Sequence, residues 1–196
     1  MEVPHNQELG MKLLTRANDN IVRTDEEKES MIINASFHYG QFLTALGFDW
    51  KSDPNQSDTP YRVAKSWVRN LISGCVNEAP KITSFPTENY EGMVCQTYIP
   101  IRSMCSHHAL PISGFCHVAY IGGKGGKVIG LSKLNKIVGF ISRRPQIQES
   151  MTQQIHDYIN EVCNNNQGVA VMISCKHFCT CHRDLYEDSV MNTMTV

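Results

Sequence analysis

A chain of 196 residues that is 41% hydrophobic and 19% charged, with a formal net charge of −1, fits one domain, or one domain with a helical extension; nothing in its overall charge points to a nucleic-acid or membrane surface. No apolar run reaches the roughly 20 residues of a membrane span, and the opening MEVPHNQELGMKLL lacks the basic end and apolar centre of a secretory signal. A reducing cytoplasm is therefore expected, with the eight cysteines as thiols or metal ligands rather than disulfides.

Residues 1–23 are polar and irregular. Thr24 followed by Glu27 forms a capping-box pattern that opens a helix, which runs to about Leu46 and stops at Gly47. Asp49–Asp58 reads as a loop from its Pro, Ser, Asn and Asp content. Pro60 then sits where a first helical turn tolerates proline. Val63, Ala64, Trp67, Val68, Leu71 and Ile72 give this second helix a one-sided apolar stripe, and Gly74 ends it. Arg62, Lys65 and Arg69 fall on the opposite face, where a solvated basic surface is the ordinary reading.

Beyond Ala79 the pattern turns to strands. Met93–Met104, Gly114–Ile121 and Gly168–Phe178 are rich in Val, Ile, Tyr and Cys. Between the second and third, Leu134, Ile137, Val138 and Ile141 mark one amphipathic helix; Ile147, Met151, Ile155, Ile159 and Val162 mark another. A short last strand is expected within Asp188–Val196. Residues 1–79 are thus expected as an N-terminal helical region, and 80–196 as an α+β domain with a mainly antiparallel sheet. The glycine-rich Gly122–Lys127 lacks the Ser or Thr and the following helix of a phosphate-binding loop, so it reads as a flexible hairpin turn.

Two short runs carry the chemistry. SMCSHHALP, Ser103–Pro111, places Cys105 and His108 at C-x2-H spacing with His107 between them. KHFCTCHR, Lys176–Arg183, supplies His177 and Cys179. One imidazole and two thiolates make three zinc ligands, and three ligands leave a fourth position for water, as in catalytic zinc sites. His107 and His177 then remain for proton transfer near neutral pH. A closed structural site is the competing arrangement, because Cys181 and His182 could supply a fourth ligand. Plain burial of cysteine as a small apolar residue is a third. Strand alternation sets Val169, Val171, Ile173, Cys175, His177 and Cys179 on one face. Cys181 shares that parity, so alternation leaves the choice between the two thiols open.

Four blocks, in this order and spacing, resemble GTP cyclohydrolase I: TPYRVAKSWVRNLISG at Thr59–Gly74, SMCSHH at Ser103–His108, GLSKLNKIVGFISRRPQIQE at Gly130–Glu149 and KHFC at Lys176–Cys179. The resemblance runs from about Asp58 to Arg183. It implies the tunnelling fold, in which ββααββ subunits join their sheets into a barrel, and a homo-oligomer, a decamer of two face-to-face pentamers with sites between subunits. It implies one zinc per subunit on Cys105, His108 and Cys179, which decides between the two thiols. It implies catalytic roles for His107 and His177, with Ser132 at the ribose. Gln148 and Glu149 match the pair that holds the guanine; Lys133, Lys136 and Arg183 match the substrate-binding basic residues. Arg62 and Lys65 match residues that reach a neighbouring subunit's triphosphate. The implied reaction turns GTP and water into 7,8-dihydroneopterin triphosphate and formate, a first step towards pterins, folate or 7-deazaguanines. The alternative is a non-catalytic, zinc-stabilised purine-binding or regulatory subunit. The chain departs from the family pattern at Ser106, where Glu is usual, at Lys136, where Arg is common, at Asp184, where Gly is usual, and in a shortened tail ending TMTV.

Overall fold

The structure, a computed structural model, describes residues 11–86, 90–182 and 188–196. The chain divides into two units, Met1–Glu78 and Ala79–Val196.

In the N-terminal unit, α1 spans Asp25–Ala45. The Glu27 amide donates to the Thr24 hydroxyl at 3.2 Å and the Thr24 amide donates to the Glu27 carboxylate at 2.8 Å, so the capping box forms. Asp25, Glu26 and Glu27 put negative charge at the positive end of the helix. After the C-cap Leu46, Gly47 takes φ 87°, a left-handed turn that a side chain resists. α2 spans Thr59–Ser66 with Pro60 in its first turn, and it continues into a π-helical turn, Trp67–Leu71. The wider turn rotates the apolar stripe. Ala64 and Val68 are buried with Ile32, whereas Leu71 is 39% exposed. Gly74 does not end this helix as expected. The π turn closes at Ile72, and Gly74 lies inside a separate short turn, α3, Ser73–Val76. Arg69 binds Asp25 and Glu29 at 3.1 and 3.4 Å and so ties the extension of α2 to α1.

The C-terminal unit contains β1 (Ser84–Pro86), β2 (Met93–Cys105), β3 (Pro111–Gly122), β4 (Lys127–Ile129), α4 (Leu131–Ser142), β5 (Pro145–Gln146), α5 (Gln148–Val162), β6 (Asn166–His177), the one-turn α6 (Phe178–Cys181) and β7 (Met191–Thr195). Five strands form one sheet in the order β5-β2-β3-β6-β7, antiparallel except for the β2–β5 pair. β1, β4 and β5, of three, three and two residues, are too short to leave a periodic signal in the sequence. The glycine-rich turn forms, with the Gly126 amide donating to the Gly123 carbonyl at 2.7 Å. It is not a hairpin between its flanking strands, because β3 pairs with β2 and β6 while β4 pairs with β1.

The core lies between the sheet and the two long helices. Ile137, Val138, Ile155 and Ile159 are fully buried against the sheet residues Ile101, Ile112, Val171 and Ile173. Along β6 every second residue from Val169 to Cys175 faces inward, as the two-residue period of a strand requires. Full burial of one such aliphatic side chain contributes roughly 1.5–3 kcal/mol. β3 and β6 come so close at Gly114 that a Cβ there would lie 2.0 Å from the Ser174 carbonyl oxygen and 2.8 Å from the Cys175 sulfur. Among the described residues, no helix is long and apolar enough to cross a membrane.

Candidate metal centre and active site

β2 ends at Cys105, and the chain reverses at once. The Ala109 amide donates to the Cys105 carbonyl at 2.9 Å, and the Cys105 amide donates to the Leu110 carbonyl at 2.8 Å. Ala109 closes the turn at φ 55°. The turn places both imidazoles over the thiol: Cys105 Sγ lies 3.8 Å from Nδ1 of His107 and 3.8 Å from Nδ1 of His108. The two rings stand edge to face, 6.1 Å apart, and both histidines are exposed while Cys105 is buried.

Cys179 reaches the same place by a different route. β6 ends at His177 and the chain winds into α6, with the Thr180 hydroxyl donating to the His177 carbonyl at 2.8 Å. Strand parity therefore does not extend to Cys179, which corrects the alternation argument. A helical turn sets the position of this thiol. The donor atoms of Cys105, His108 and Cys179 all lie within 4.8 Å of one another. Cys181 is not in that group; His182 packs its ring on Phe178 at 5.1 Å. Two sulfurs and one imidazole nitrogen fit zinc, whereas hard cations such as magnesium and calcium prefer oxygen.

His177 is half-buried. Burial pushes its pKa below the ordinary value, against a smaller upward pull from the Glu149 carboxylate. Its Nε2 lies 2.8 Å from Gln148 Oε1. Gln148 is 0% exposed, and its two Nε2 hydrogens face three acceptors, the Ile173 carbonyl at 3.1 Å, the Met191 carbonyl at 3.0 Å and Thr193 Oγ1 at 3.1 Å. Both ends of the amide are turned inward and engaged within the unit, because the first turn of α5 packs on β6 and β7. The neighbouring Glu149 is exposed. Buried Thr152 and half-buried Thr193 complete the cluster, with hydroxyls 2.6 Å apart, and the sequence reading missed both. Thr152 carried a usable signal, as a polar residue on the buried face of α5 beside Met151 and Ile155.

Ser132, Lys133 and Lys136 stand on the first turns of α4, with Ser132 and Lys136 exposed and Lys133 half-buried. Arg62 and Lys65 are exposed in the N-terminal unit, where Arg62 pairs with Asp58 at 3.2 Å and Lys65 Nζ lies 5.7 Å from the Tyr61 ring centroid. Arg183 lies outside the described residues. The N-terminal unit also holds an apolar cleft of about 500 Å³, walled by Met31, Ala64, Trp67 and Val68, that contains none of the expected site residues.

An α+β unit in which a turn after one strand and a helical turn after another bring together a Cys/His/Cys group that could hold a metal ion, with the His107 imidazole beside it, defines a class: proteins with a three-donor candidate metal site at the end of a sheet. Within that class the sequence comparisons are specific. The family described as GTP cyclohydrolase I matches residues 35–196. The GTP cyclohydrolase 1 of Vibrio parahaemolyticus serotype O3:K6 is 37% identical over 93% of this chain and 82% of its own length. That of Aeromonas salmonicida is 38% identical over 81% and 72%, and that of Shewanella sp. strain ANA-3 is 38% identical over 89% and 78%. The chain belongs to the GTP cyclohydrolase I family, and its order β2-β3-α4-α5-β6-β7 is the ββααββ order of the tunnelling fold.

Proposed function

We propose that this protein converts GTP and water to 7,8-dihydroneopterin triphosphate and formate. The observation that carries the reading is the Cys105–His108–Cys179 group with His107 3.8 Å from Cys105. The names of the relatives, GTP cyclohydrolase 1, support it. We read the metal as zinc, one per subunit, held by those three residues. When bound it supplies Lewis acidity that makes water a nucleophile near neutral pH.

The chain's own residues take the remaining roles. His107, on the turn that carries His108, delivers a proton to N7 of the guanine as the imidazole ring opens at C8. His177 moves a proton near N9 or the ribose during the later steps. Glu149 accepts hydrogen bonds from the guanine N1–H and exocyclic amine. Two acceptor oxygens facing two donors reject adenine, whose N1 carries no hydrogen. Ser132 holds the sugar hydroxyls, and Lys133, Lys136 and Arg183 meet the triphosphate, aided by the positive end of α4. Arg62 and Lys65 reach the triphosphate in a neighbouring copy, within a homo-oligomer read as a decamer of two pentamers. Binding energy from the triphosphate, far from C8, orients the base. The cytoplasm is the compartment this chemistry fits.

Incubation of purified, zinc-loaded protein with GTP, followed by oxidation, should give a fluorescent pterin and one formate per GTP consumed. Zinc-replete oligomer that binds GTP and releases neither product would overturn the catalytic reading in favour of a purine-binding subunit.

A further inference from the structure

We infer that Gln148 fixes the tautomer and orientation of the His177 ring, with the ring hydrogen held on Nε2. The inference rests on the catalytic role proposed for His177 and goes beyond it. Gln148 is a positioning residue. Around its Nε2 lie two backbone carbonyl oxygens, of Ile173 at 3.1 Å and Met191 at 3.0 Å, which can only accept. An amide oxygen turned towards them would set acceptor against acceptor around a side chain that is 0% exposed, so the NH2 group points there. Oε1 is left facing His177 Nε2 at 2.8 Å. An amide oxygen cannot donate. Nε2 must therefore carry the hydrogen of the neutral ring.

A ring of polar groups opposes a flip of the amide. The Thr152 hydroxyl donates to the Gln148 carbonyl at 2.9 Å, which uses its only hydrogen. The Thr193 hydroxyl, 2.6 Å away, must then donate to Thr152. Thr193 Oγ1, 3.1 Å from Gln148 Nε2, is thus a third acceptor facing the two amide hydrogens. Gln148 and Thr152 are 0% and 1% exposed. The last strand, β7, reaches Gln148 through Met191 and Thr193.

Solid-state 15N spectra of zinc-loaded, histidine-labelled protein at a pH where the ring is neutral read the tautomer directly, with His177 assigned by its loss in His177→Asn. The expected result is a protonated Nε2 and a bare Nδ1; the reverse pattern overturns the inference. Gln148→Leu should lower kcat roughly 10–100-fold with KM for GTP little changed, and should mix the two tautomers in the spectrum. A raised KM with kcat intact would instead place Gln148 on the substrate. If that variant does not fold, Thr193→Val opens the ring farther from His177 and should give a smaller loss of kcat with the same spectral mixing; an unchanged spectrum and kcat would count against the network. Full activity in His177→Asn would remove the catalytic role of His177, while the wild-type spectrum would still decide the tautomer.

Discussion

Cys105 and Cys179 lie where strands end, and Cys116 and Cys175 lie within strands, yet all four are buried thiols of one core. The pair within the strands sits among aliphatic neighbours. Burial pushes Cys116 up to about 12, helped by the nearby Cys175, and pushes Cys175 up to about 12 against a hydrogen bond to the Phe115 backbone. A thiol that stays protonated throughout the physiological range is a small apolar side chain. Cys105 and Cys179 are scarcely more exposed, at 4% and 7%, but each has the other and the His108 imidazole within 4.8 Å. Burial does not separate the two pairs; the end of a strand does. Inside a strand the neighbours on one face repeat the same apolar pattern, whereas a terminal turn can bring unlike donors together.

The ligands are where this contrast breaks most sharply. Cys105→Ser and Cys179→Ser should each empty the metal site and lower turnover at least about 100-fold, while Cys175→Ala keeps its metal. Elemental analysis beside the GTP assay checks this, and metal retained in Cys179→Ser but lost in Cys181→Ser would reverse the assignment. Glu149→Ala should lower kcat/KM for GTP about 100-fold or more and leave the unfolding free energy within about 0.5 kcal/mol, since the residue is exposed. Equal losses of activity and stability would make Glu149 structural.

Within the strands the effects are thermodynamic. Cys175→Ala should cost about 1–2 kcal/mol through a small cavity. It should also change the response to alkali. Cys116 and Cys175 rise from an ordinary 9.0 to about 12, so the folded state holds their protons more tightly. Their contribution is complete below about pH 9 and declines as pH rises towards 12. Urea unfolding at pH 8 and pH 10 should show a shallower alkaline loss in Cys175→Ala than in the wild type; parallel losses would argue that Cys175 titrates normally. The smallest effect is expected in the N-terminal unit. Thr24→Ala removes the capping box of α1 and should cost about 1 kcal/mol with metal content and turnover unchanged, measured by the urea midpoint.

The sequence makes visible what local spacing controls. Leu134, Ile137, Val138 and Ile141 repeat at helical intervals, and all four are buried. Cys105 and His108 meet because a single turn joins them. The choice of Cys179 over Cys181 is not legible from parity, since counting by twos runs straight through the helical turn that begins after His177. The burial of Gln148 is hidden for a related reason. A polar residue in the first turn of an amphipathic helix reads as facing solvent or ligand, and its partner Met191 lies 43 residues away. The π turn at Trp67–Leu71 carries no residue pattern that separates it from an ordinary helix, so the outward rotation of Leu71 could not be read in advance.

At Gly114 a hydrogen atom stands where every other residue has a carbon, and the two central strands close over the gap. Two register pairs along the same ladder, Ile112 is matched with His177. Even a methyl group at position 114 would act as a wedge there, and a zipper prised open near its end parts at that end first. The end in question is the one whose last residue, His177, carries the proposed proton-transfer role. Alanine at 114 would therefore be felt as a misplaced imidazole, although neither residue touches the other: the alignment of the site is guarded by an absence, at a position with no chemistry of its own.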